Sequence, residues 1–135
     1  MIIFILIESL FVAIYSCMVF TIVKYIFRFL KPNSISLFFL TGFLKHFIGW
    51  LSGLQNIYCH LKRRKSLSVF HIYPRMSNIF NVSLESFGEG ILFVLFSSIL
   101  NYLQNKILII FIIGGGLHIL FELIGIHKWF CKRLS

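Results

Sequence analysis

Four apolar runs constrain this chain more than any other feature. They cover residues 2–23, 36–57, 84–103 and 107–126. Each is close to the twenty or so residues that a helix needs to cross a bilayer. Hydrophobic residues make up 59% of the 135, and charged residues only 13%, against roughly 25% in soluble domains. A soluble fold could not cover that much apolar surface, so lipid is the expected solvent. The sequence therefore predicts an all-α integral membrane four-helix bundle, one transmembrane domain over residues 1–135, with a basic loop over 59–82 between the second and third spans. Glu8 interrupts the first run, which is too long for a signal-peptide core and has no basic residues before it. It is expected to remain as a membrane helix. Pro32-Asn33-Ser34 punctuates the first pair of spans, and Asn101 to Lys106 turns the chain between the second pair.

The second and fourth runs echo each other. At an offset of 72, Phe39–Cys59 and Phe111–Cys131 share six of 21 positions: Phe39/Phe111, Gly42/Gly114, His46/His118, Leu51/Leu123, Gly53/Gly125 and Cys59/Cys131. Histidine and cysteine are scarce here, so their agreement weighs more than a leucine match. The echo suggests two tandem helical hairpins related by internal duplication. A helix turns 100° per residue, so Gly114, His118, Glu122 and Gly125 fall within about 80° of one another. Gly42, His46, Gly49 and Gly53 fall within about 60°. Small residues let helices approach closely in lipid, and Gly49 and Gly53 have GxxxG spacing. Gly42, Gly49, Gly53, Gly114 and Gly125 are therefore expected at helix–helix seams.

Ionisable groups inside the runs call for a reason, because charge in lipid is costly. At 1.5 Å per residue, Glu8, Glu89 and Glu122 each lie roughly 6–9 Å from the same end of their helices, with His118 about one turn deeper. His46 falls near mid-membrane, beside Lys45, which is too deep to reach water easily and should be paired or line a wet cavity. Glu8, His46, Glu89, His118 and Glu122 are thus expected to form one intramembrane polar cluster. The leading expectation is structural: the cluster sets helix register in a non-enzymatic membrane component. The alternative is a proton or cation path through Glu8, Glu89, His118 and Glu122, in an oligomer because four short helices leave little room for a pore. A third possibility is a metal site, with Glu89, His118 and Glu122 as candidates, or haem held by His46 and His118. The spacing His118-x-x-x-Glu122 departs from the Glu-x-x-His of di-metal bundles. No cofactor is demanded by any motif. The chain has no Asp, so no Ser-His-Asp set exists. Gly114-Gly115-Gly116 sits within an apolar helix and not in a phosphate loop.

The formal charge of +9 sits at helix ends and in one loop, as topology signals do, which argues against nucleic acid. Lys62, Arg63, Arg64 and Lys65 suit anionic lipid headgroups. The termini and the central loop carry eight basic residues, against four in the opposite loops. By the positive-inside rule both termini are expected in the cytosol. Cys59 and Cys131 would then face a reducing compartment and remain thiols. Cys17 lies inside the first span, and the sequon Asn81-Val82-Ser83 hugs a helix start and is read as accidental.

Overall fold

A computed structural model describes residues 2–63 and 78–134, excepting the side chains of residues 60–63 and 133–134. Arg64, Lys65 and Arg75 lie outside the described residues, as do the side chains of Lys62 and Arg63, so the lipid-headgroup expectation falls outside them too. Every regular element among the described residues is a helix: α1 (Ile2–Ile26), a 3-10 turn (Arg28–Leu30), α2 (Ser34–Leu51), α3 (Leu54–Arg63), α4 (Ile79–Ile99), α5 (Lys106–Ile124) and α6 (Ile126–Leu134). Four of these, α1, α2, α4 and α5, are long and apolar enough to cross a membrane. Lipid offers no hydrogen-bond partners to the backbone, so a helix, which satisfies its own, is what a long apolar segment must form.

The chain runs up, down, up and down. One end of the bundle carries the start of α1, the end of α2, the start of α4 and the end of α5, together with the short helices α3 and α6. The closest neighbours are α2 with α4 and α1 with α5. Sequential helices touch less, so each half of the chain lends one helix to each tight pair. In α1 the buried positions Ser9, Ala13, Ser16, Val19, Phe20 and Val23 form one stripe three or four residues apart. The rest of that helix exposes Ile3, Phe4, Leu6, Leu10 and Ile14, a surface suited to acyl chains.

At the far end, away from α3 and α6, the core is apolar. Val19, Phe20 and Val23 of α1 meet Leu37 and Phe38 of α2 and Ile109, Ile110 and Ile113 of α5. Between helices in lipid, a contact of this kind would gain dispersion energy and not a hydrophobic driving force, so close fit would decide its strength. Two glycines supply that fit. A Cβ on Gly42 would lie 2.9 Å from both the Glu89 carbonyl oxygen and the Gly90 Cα. One on Gly114 would lie 2.8 Å from Ser16 Cβ. α2 and α4 therefore cross at Gly42 and Gly90, and α1 and α5 cross at Gly114 and Ser16.

The other expected packing glycines are placed differently. Gly53 and Gly125 adopt φ of 79° and 86°, left-handed values at which glycine ends a helix without steric cost. They stop α2 and α5 and start α3 and α6. This is why the second span ends at Leu51, with residues 54–57 in a separate helix. Gly49 faces open space, where a Cβ would meet only the Tyr15 hydroxyl at 3.9 Å. The third span begins earlier than its hydropathy suggests, at Ile79, so the expected loop over 59–82 shortens at both ends. Asn81 lies in the first turn of α4.

Candidate functional site

The end of the bundle that carries α3 and α6 is built otherwise than the far end. α3, LQNIYCHLKR, and α6, IHKWFCKRL, alternate apolar and polar faces and are too short to span. Helices of that kind lie along an interface. The glycine turns fold them back toward the bundle, side by side. Cys59 and Cys131 then lie 5.4 Å apart at their Cα atoms and form a disulfide. This overturns the expectation that both remain thiols. That expectation followed from basic residues in loops, which carry no information about how near two side chains fold. Cys17 is the free cysteine, with its sulfur 3.6 Å from the Ile107 carbonyl.

Beneath the cross-linked helices lies a cavity of about 480 Å³. Its walls are mostly apolar, with Ile7, Phe11, Val12, Leu54, Leu117 and Phe121 among them. Glu8, Lys45, His46, Glu89, His118 and His127 also reach it, as do both cysteines of the disulfide. A site of that size, apolar with a few convergent polar groups, has the dimensions of a small-molecule pocket, roughly 300–1,000 Å³.

The polar residues form two networks. In the first, α2 faces α4. Lys45 forms an ion pair and hydrogen bond with Glu89, which is only 5% exposed. His46 Nδ1 lies 2.7 Å from the second Glu89 oxygen, and His46 Nε2 lies 3.3 Å from Glu85. Each ring nitrogen of His46 thus faces a carboxylate oxygen. The Tyr15 hydroxyl donates to the Lys45 carbonyl at 3.1 Å, and the side chain of Gln55 of α3 lies beside the His46 ring. A buried ion pair recovers its desolvation cost only with such additional bonds.

In the second network, α1 and α3 face α5 and α6. His118 Nε2 lies 3.6 Å from a Glu8 oxygen. Tyr58 donates its hydroxyl hydrogen to Glu122. His127, two residues beyond the Gly125 turn, places Nδ1 3.0 Å from Glu122. The rings of His118 and His127 lie 4.6 Å apart. Ligand-capable atoms of His118, Glu122 and His127 all fall within 4.8 Å of one another.

The five residues expected to form one cluster are thus divided: His46 and Glu89 in the first network, Glu8, His118 and Glu122 in the second. All but Glu122 line the common cavity. Of the three metal candidates, His118 and Glu122 come together, whereas Glu89 is engaged by Lys45 and His46 instead. Sequence reasoning passed over Gln55 and placed His127 and Tyr58 only at the membrane interface, because all three follow glycine turns whose direction composition does not reveal. Compared with known protein families, curated proteins and solved structures, the chain matches none.

Proposed function

We propose that the protein is a non-enzymatic integral membrane component that holds a small amphiphilic molecule at the disulfide end of its bundle. The observation that carries this reading is the cavity, with its apolar walls and two polar networks reaching the same space. An apolar body would pack against Phe11, Leu117 and Phe121, and a hydrogen-bonding head would meet Lys45, His46, Glu89 or His118. Passage of ions through a single bundle is disfavoured by the far end, where the core of Phe20, Phe38, Ile110 and Ile113 is apolar. The networks also serve helix register, since each joins helices from different halves of the chain.

Gly49 gives the test. Its missing side chain adjoins the cavity, so Gly49→Phe fills the space without displacing backbone. A fluorescent long-chain alcohol is expected to bind the purified wild-type protein saturably and to bind Gly49→Phe at least tenfold more weakly. Gly116→Phe, at an exposed position with nothing within 4 Å of its Cβ, should bind as wild type. Absence of saturable binding to folded wild type, or binding indifferent to Gly49→Phe, would reject the reading.

We further propose a tandem duplication. Its support lies in the repeated offset of 72: α2 starts at Ser34 and α5 at Lys106, α3 at Leu54 and α6 at Ile126. Asn33 and Asn105 each cap the following helix through a side-chain oxygen. Gly53 and Gly125 share a left-handed turn, and the two bonded cysteines are themselves 72 apart. His46 approaches Glu85 of Glu85-Ser86, and His118 approaches Glu8 of Glu8-Ser9.

We also propose that the disulfide end, with both termini, faces an oxidising compartment, opposite to the orientation expected from the charge count. A persistent disulfide needs such a compartment, whereas loop charge is a bias that added charges can invert. An epitope tag placed after Ser135 should resist added protease in sealed microsomes; digestion of the tag would restore the cytosolic orientation.

A further inference from the structure

We propose that His118, Glu122 and His127 bind one divalent transition-metal ion, of the zinc or ferrous-iron class, in the wall of the cavity. Two imidazoles and one carboxylate are the donor set that such ions take in open, three-ligand protein sites. With donors 2.0–2.1 Å from a tetrahedral ion, neighbouring donor atoms stand about 3.3 Å apart. His127 Nδ1 and Glu122 are already 3.0 Å apart. The widest separation in the trio is no more than 4.8 Å, which side-chain rotation closes.

The backbone prepares this grouping. His118 and Glu122 are four residues apart on α5 and share a face. Gly125 then reverses the chain, and His127 comes back over that face from α6. A lone helix could not supply the third donor at this angle. Tyr58 adds an outer partner, since its hydroxyl donates to Glu122 and fixes the carboxylate. Such outer hydrogen bonds orient ligands and tune affinity. His118 and His127 both line the cavity, so a further coordination position would open toward it. Glu8, 3.6 Å from His118 Nε2, stands at that opening and is the residue placed to supply a fourth ligand.

The inference does not depend on amphiphile binding: metal stoichiometry is read without the alcohol probe, and either result can fail alone. Full-length protein in detergent, stripped with a chelator, is titrated with zinc and, separately, with cobalt as a spectroscopic probe. One ion per chain is expected, with cobalt giving the visible bands of a four- or five-coordinate nitrogen and oxygen site. His118→Ala and His127→Ala should each weaken zinc binding by well over tenfold. Tyr58→Phe, which leaves all three donors in place, should weaken it by about tenfold. Glu85→Gln, in the other network and outside the cavity lining, should bind zinc as wild type. Helical circular dichroism establishes that each variant is folded, and Tyr58→Phe carries the test if a histidine variant is not. Zinc uptake well below one per folded chain would overturn the proposal. So would tight binding retained in both histidine variants, or in Tyr58→Phe where those do not fold, or an equal loss in Glu85→Gln.

Discussion

The two polar networks occupy matching places in the bundle but close themselves differently. The α2–α4 network contains a lysine: Lys45 neutralises Glu89, and His46 spans Glu89 and Glu85. In the network around α5, the position 72 residues after Lys45 is Leu117, which is buried and apolar. Two histidines and a tyrosine gather around its carboxylates instead. An ammonium on a four-carbon stem fills a charged site permanently. Imidazoles do not, because a neutral ring still offers a lone pair. The first network is therefore suited to holding helices, and the second to receiving a cation from outside the chain.

The largest effect should come from breaking the ion pair. Lys45→Met leaves Glu89 buried opposite no ammonium, which typically costs about 3–5 kcal/mol. Lys45→Met with Glu89→Gln removes both charges and should recover most of that loss, because the paired charges largely offset their own desolvation. Resistance to unfolding by denaturing detergent, followed through helical circular dichroism, measures both. If the double variant were no more stable than the single one, Glu89 would be held chiefly by His46 and not by Lys45, and the contrast between the networks would weaken.

How much of this could be read from the chain depended on which forces acted over short distances. The four helices long and apolar enough to cross a membrane follow from hydropathy alone, since an apolar run in lipid must satisfy its own backbone. The depth of Glu8 near the start of α1 was also legible from helix rise, but that of Glu89 was not, because α4 begins at Ile79 and carries Glu89 at its middle. The division of the polar residues into two networks was not legible either, because it depends on which helices become neighbours, and α2 prefers α4 while α1 prefers α5. The glycines show the same limit. Gly42, Gly49 and Gly53 share a helical stripe by arithmetic, yet one packs, one borders the cavity and one turns the chain. Gly90, which meets Phe39 across the α2–α4 crossing, carried no periodic signal of its own. Asn33 and Asn105 did carry one, at the same offset of 72, a few residues before the compared stretches begin.

A smaller effect separates the two crossings themselves. A Cβ at Gly42 strikes backbone, the Glu89 carbonyl and Gly90 Cα. Trimming a side chain cannot relieve that clash, so α2 and α4 must move apart, and Lys45 and His46 move with them. Gly42→Ala should cost about 1–3 kcal/mol, the usual range for overpacking. A Cβ at Gly114 instead strikes the side chain of Ser16, whose hydroxyl donates to Val12 within its own helix. Gly114→Ala should therefore cost less, about 1 kcal/mol, and Ser16→Gly should restore it, because the backbone of Ala13 remains 3.5 Å away. No equivalent trimming, such as Phe93→Leu, should restore Gly42→Ala. Unfolding of the four variants in the same detergent decides the matter. Rescue of Gly42→Ala by Phe93→Leu would mean that α2 and α4 meet through side chains after all, and that the ion pair is held less rigidly than its burial implies.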